Sequence, residues 1–139
     1  MRPPREETFM EIANVLAERS TCIRAQVGVV IVKDNRIIST GYCGSPKGMP
    51  HCVDVGCLPG LVGECIRTVH GEANAIAFAA KHGVALEGST LYTTLAPCFT
   101  CAKLIINAGI VSVIYGEPYR DASGVDILRE RKVNVVQWP

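Results

Sequence analysis

Two stretches decide how this chain is read: TVHGEANAI, Thr68 to Ile76, and LAPCFTCAKLI, Leu95 to Ile105. The first sets a His two residues before a Glu. The second sets two Cys with two residues between them and a Pro before the first. Each is weak alone, since a Cys-x-x-Cys serves equally as a redox pair or as part of a structural zinc clip. Together they supply a donor set. Zinc favours Cys sulfur and His nitrogen, and a catalytic zinc keeps three protein ligands with a fourth position open. His70, Cys98 and Cys101 make such a set, and two thiolates with a neutral imidazole balance the charge of the ion. Glu72 is then free to act as an acid–base group.

Both clusters are expected to open helices. EANAIAFAAKHG (72–83) and CFTCAKLIINAG (98–109) have helical patterning, and each closes on a Gly that suits a helix C-terminus. Pro97 fits just before or at a helix start, where its missing N–H costs nothing. A helix N-terminus carries partial positive charge, which stabilises thiolates and developing oxyanions. Residues two apart on a helix point in roughly opposite directions, so His70 and Glu72 can share one metal only from the helix tip.

Outward from these motifs, VGVVIV (27–32) is a nearly continuous apolar run, the pattern of a strand buried on both faces. Asp34-Asn35 is turn chemistry, and RIISTGY (36–42) returns as the second strand of a hairpin. TFMEIANVLAERS (8–20) reads as a helix with Thr8 as its cap. Residues 43–68 are rich in Gly, Pro and Cys and have no period, so a long loop is expected there, held by something other than a core. Strand STLYTTL (89–95), strand VSVIYG (111–116), helix GVDILRERK (124–132) and strand VNVVQW (133–138) complete the order. This predicts one domain over residues 1–139. Its fold class is a three-layer α/β/α sandwich on a central five-stranded mixed sheet.

Composition narrows the function. The 139 residues are 48% hydrophobic and 19% charged, which suits a folded globular chain. A formal net charge of +1 gives no basic excess for holding a nucleic acid polymer by its phosphates. The charged start MRPPREETFMEI lacks the apolar run of a signal peptide, and no apolar stretch approaches the roughly 18–20 residues that span a membrane. A soluble cytoplasmic protein is expected. Seven Cys, an odd number without an export signal, favour metal binding over a disulfide framework.

The order His-x-Glu then Pro-Cys-x-x-Cys is the signature of zinc-dependent nucleobase deaminases, in which the Glu is not a ligand. The wider sequence resembles the deoxycytidylate (dCMP) deaminase family of the cytidine and deoxycytidylate deaminase superfamily. The resemblance covers nearly the whole chain: VGVVIVKDNRIISTGY (27–42), GSPKGMPHC (44–52), CIRTVHGEANAI (65–76) and TLAPCFTCAKLIINAGI (94–110). The linked patterns GYxGxPxG and CIRTVHxExNAI narrow it to the dCMP branch. The resemblance implies a cytidine deaminase-like fold. It also implies Zn2+ on His70, Cys98 and Cys101, proton transfer by Glu72, and conversion of dCMP to dUMP and ammonia. It further implies a homo-oligomer, often a hexamer, with dCTP and dTTP as effectors. Two positions depart from the family pattern: Cys43 stands where Asn is usual, and Gly71 where Ala is usual. A thiol replaces a carboxamide poorly, so regulation is expected to be blunted.

The remaining cysteines surround the long loop. Cys22, His51, Cys52, Cys57 and Cys65 are candidates for a second metal, which some family members carry in this region. A 5′-monophosphate calls for cationic donors; Arg24 and Arg67 are candidates, with Lys47 and Arg120 in loops that could border the site. Tyr119 is a candidate for stacking on a pyrimidine. Competing readings of the same residues are a structural zinc site with Glu72 or another Cys as fourth ligand, and a thioredoxin-like Cys98/Cys101 pair. Competing functions are a free cytidine deaminase, a tRNA adenosine deaminase and a zinc-stabilised nucleotide-binding module without turnover.

Overall fold

The computed structural model describes residues 1–139. Its frame is a five-stranded sheet in the order β2-β1-β3-β4-β5. β1 (Gly28–Lys33) and β2 (Arg36–Tyr42) form the expected hairpin, with Lys33 opposite Arg36. Asp34 and Asn35 both have positive φ, 52° and 62°, which is the two-residue turn that matches strand twist. β1 also pairs antiparallel with β3 (Thr90–Leu95). From there β4 (Ser112–Glu117) and β5 (Asn134–Gln137) run parallel to β3.

The continuous apolar run of β1 is explained by burial on both faces. Val29 and Ile31 join the larger core, while Val30 and Val32 pack in a smaller one with Phe9, Met10 and Tyr92. One helix, α1 (Arg5–Ala17), covers the smaller core. The other face is covered by α3 (Gly71–Lys81), α4 (Phe99–Asn107) and α5 (Ser123–Glu130) through Ala75, Ala79, Ala102, Ile105, Val125 and Leu128. The three layers are therefore uneven, one helix against three. Gly41 is where β2 and α3 meet: a Cβ there would stand 2.6 Å from the Ala75 nitrogen, so no side chain fits.

Two local expectations change. α1 starts a turn earlier than Thr8, with Pro4 as its N-cap. Glu6 and Glu7 in the first turn favour this start through the helix dipole, and the Thr8 N–H donates to the Pro4 carbonyl at 3.3 Å. The loop 43–68 also holds a one-turn helix, α2 (Cys52–Val55), and a small closed segment in which Pro59 pairs with Cys65. No helix is long and apolar enough to cross a membrane.

Candidate metal centre and active site

His70 is the N-cap residue of α3 and Cys98 the N-cap residue of α4. Both have extended backbone (ψ 151° and 171°), and neither side chain makes a capping hydrogen bond, so both donors are free. Cys101 follows in the first turn of α4 and is buried. His70 Nδ1 lies 3.4 Å from Cys98 Sγ and 3.5 Å from Cys101 Sγ. Tetrahedral zinc with ordinary bond lengths holds a nitrogen and a sulfur about 3.6 Å apart. The three donors thus already stand at metal-ligand separation. α5 approaches the same corner closely, because Gly124 leaves no room for a Cβ against the Pro97 carbonyl and Cys98.

The electrostatics agree with a thiolate site. The Cys98 thiol is pushed down to about 4, chiefly by its hydrogen bond with Cys101 and further by that with His70. Cys101 is pushed up because Cys98 takes the charge of the pair and burial opposes a second one. His70 is raised by its hydrogen bond with Cys98. A divalent cation would replace these shared protons, since bound thiols are deprotonated outright.

Glu72, the second residue of α3, is 4% exposed. Burial raises its carboxyl to about 7, against the opposing pull of His70. That suits a group that takes and gives protons near neutrality. The requirement that His70 and Glu72 meet at a helix tip is satisfied, since one caps the helix and the other lies in its first turn.

These groups open onto a cavity of about 320 Å³. Its lining includes His70, Glu72 and Cys98, together with Arg24, Arg120 and Tyr119, and Cys22, Cys43, Val27 and Leu95. Arg24 Nη1 donates to the Gly63 carbonyl at 2.7 Å, tying the cation to the long loop. Arg120 stacks over the Tyr119 ring with its guanidinium 5.1 Å from the centroid. Arg67 does not line the cavity. Cys65, Thr68 and His70 of the same stretch do line it, and the chain bends at Ile66 and Arg67 between them. The Arg67 Nε is buried without a hydrogen-bond partner. Lys47 is exposed and likewise outside the lining.

Of the five second-metal candidates, the structure brings three together. Cys52, Cys57 and Cys65 have their sulfurs within 4.8 Å of one another, with Cys52 and Cys65 at 3.7 Å. Cys22 is drawn away into the main core beside the cavity, and His51 Nδ1 is engaged with Thr21 Oγ1 at 3.1 Å. Burial alone would raise the Cys65 thiol, but hydrogen bonds from Thr68 and from the backbone of Leu58 and Arg67 bring it down to about 5. Cys65 also lines the cavity that His70 and Glu72 face, so the two clusters share a wall. At Gly71 an added Cβ would stand 3.1 Å from Val29 Cγ2, so an Ala would need a small shift of that side chain.

The model of the cytidine and deoxycytidylate deaminase zinc-binding region matches residues 3–117. This chain belongs to that deaminase family. It is 48% identical over 112 residues to ComE operon protein 2 of Bacillus subtilis (strain 168), covering 81% of this chain and 59% of that protein. It is 35% identical over 145 residues to deoxycytidylate deaminase of Saccharomyces cerevisiae, covering 99% of this chain and 46% of that protein. The chain therefore spans about half the length of these two relatives. Among solved structures it superposes on dCMP deaminase from the cyanophage S-TIM5, in complex with dCMP and dUMP. That match has a TM-score of 0.87 and 32% identity, and covers 99% of each chain. The family's zinc-binding region includes His70, Cys98 and Cys101, the donors whose spacing fits the ion.

Sequence reasoning passed over Asn74, whose side-chain amide donates to the carbonyls of Tyr42 at 2.8 Å and Val69 at 3.3 Å. Its only signal was its position in the motif, four residues after His70.

Proposed function

We propose that this chain catalyses the zinc-dependent hydrolytic deamination of dCMP to dUMP and ammonia, with Glu72 as its acid–base group. One observation carries the reading. A buried carboxyl held near neutrality stands beside a His–Cys–Cys set, in a cavity that also carries two arginines. A pyrimidine nucleotide offers an amine for the first group of residues and a phosphate for the arginines.

Zinc held by His70, Cys98 and Cys101 supplies Lewis acidity and makes a water nucleophilic near neutral pH. Glu72 accepts a proton from the attacking water and returns it to the ring nitrogen next to the reacting carbon. The same carboxylate then takes the remaining proton from the hydroxyl on the reacting carbon and passes it to the amine, so that the C–N bond breaks, the C=O bond of dUMP forms and ammonia leaves. Arg24 and Arg120 bind the phosphate, and Tyr119 packs along the nucleoside. The Cys43 thiol, which burial pushes up to about 11, stays protonated and offers the cavity only weak hydrogen bonding. We expect a weak response to dCTP and dTTP for that reason. The sulfurs of Cys52 and Cys65, 3.7 Å apart, match the roughly 3.8 Å expected on one zinc, which supports a second, loop-stabilising ion with Cys57. A cytoplasmic homo-oligomer, the hexamer of the dCMP deaminase family, is the assembly we propose.

The test is ammonia release from dCMP, CMP, dCTP, deoxycytidine and adenosine. dCMP should be preferred by about 10-fold or more over deoxycytidine, the value of a charge-assisted phosphate contact. Equal use of the two would replace this reading with a free nucleoside deaminase.

A further inference from the structure

His70 follows the irregular stretch 43–68, where Thr68 is tied to the sulfurs of Cys52 and Cys65. The neighbouring Val69 has two sets of hydrogen bonds. One is the backbone pair with Gly44, at 2.8 and 3.2 Å. The other is the side chain of Asn74. This half-buried residue sits one turn into α3, and its own N–H closes the helix onto the His70 carbonyl at 2.9 Å. Its side-chain nitrogen donates to Val69 O, the residue before His70, and to Tyr42 O, the residue before Cys43. Both partners are carbonyl oxygens, so only the NH2 end of the amide can face them.

We propose that Asn74 is the positioning residue of the metal centre: its amide bridges the Tyr42 and Val69 carbonyls and fixes the His70 arm against the cavity wall that begins at Cys43. The proposal rests on His70, Cys98 and Cys101 being the zinc ligands. A ligating nitrogen tolerates about 0.2 Å of misplacement. His70 is the exposed member of its set, whereas Cys101 is buried within α4, so the His arm is the one in need of an outside restraint. The Asn74 side chain hydrogen-bonds to the Tyr42 and Val69 carbonyls and not to the metal donors, and it is not part of the cavity lining. It acts through the backbone on both sides of His70.

Asn74→Asp tests this with nearly unchanged shape, because a carboxylate has no donor and sets negative charge against two carbonyl oxygens. Asn74→Gln keeps the donor on a longer stem. The full chain is loaded with zinc and titrated with a chelator, with His70→Ala in parallel to identify the zinc that belongs to this site. Asn74→Asp should hold that zinc about 10- to 100-fold more weakly, as outer partners of metal ligands do. Its cobalt-substituted form should show an altered visible spectrum. Asn74→Gln should recover part of the affinity, and kcat should fall with little change in KM for dCMP. The metal-free melting temperature should change little. Zinc affinity and cobalt spectrum equal to wild type in Asn74→Asp would overturn the positioning role. So would a loss fully matched by a lower metal-free melting temperature with no recovery in Asn74→Gln. If His70→Ala keeps all its zinc, the ligand assignment itself falls; if only Asn74→Asp keeps it, the assignment stands and the role of Asn74 does not.

Discussion

His70, Cys98 and Cys101 come from the first residues of two helices packed on the sheet, whereas Cys52, Cys57 and Cys65 come from a four-residue helix and a loop. The first set sits at the ends of helices packed on the apolar core of the sheet. The second lies in a stretch with many exposed apolar groups, Val53, Val55, Leu58, Leu61, Val62 and Ile66 among them. A core can aim ligands; a loop without one must be organised by its ligands. On the proposed function the same kind of sulfur would serve different ends: one cluster placed by the fold for chemistry, the other organising the loop locally.

The largest effect that could break this contrast is at the helix-borne set. Cys98→Ala should lose one zinc per chain and all measurable turnover, and metal analysis showing full zinc would remove the basis for it. Glu72→Ala should keep its metal content and lose about 10²–10⁴-fold in kcat, the usual weight of a general acid–base group. A variant retaining more than about a tenth of wild-type rate would contradict that role.

Arg24 and Arg67 sharpen the comparison at the next level. Arg24→Ala removes a cavity cation and its bond to Gly63, so kcat/KM for dCMP should fall about 10- to 100-fold while deoxycytidine is barely affected. Arg67→Ala, outside the cavity, should alter the dCMP-to-deoxycytidine ratio far less. Equal losses in the two variants would show that Arg67 reads the phosphate as well.

The smallest effect on turnover is expected at the loop. Cys57→Ser should lower the melting temperature by several degrees and speed proteolysis between residues 57 and 66, while kcat stays within about twofold. If it abolished turnover with catalytic zinc intact, the shared wall at Cys65 would be more than a boundary.

How much was legible in the sequence follows the same division. The apolar run 27–32, the Asp34-Asn35 turn and the helices closing on Gly83 and Gly109 were readable because local chemistry and burial agree there. So was the His–Cys–Cys set, since helix starts deliver its donors. Selecting three thiols from five loop candidates was out of reach, because aperiodic backbone gives no rule for direction. Whether Arg67 reaches the cavity was not legible either: it stands at a bend, where closeness in sequence to His70 does not fix the direction of a side chain. Asn74 stayed hidden because its partners are main-chain carbonyls, which leave no trace in side-chain patterning.

The sheet changes character at β3, which is antiparallel to β1 on one side and parallel to β4 on the other. His70 belongs to a helix seated on the hairpin side; Cys98 and Cys101 belong to the helix that follows β3 and packs on α5. Neither half of the chain can coordinate the ion alone. The complete donor set exists only where the hairpin half and the crossover half are docked; pulling them apart would leave the imidazole on one and the thiol pair on the other.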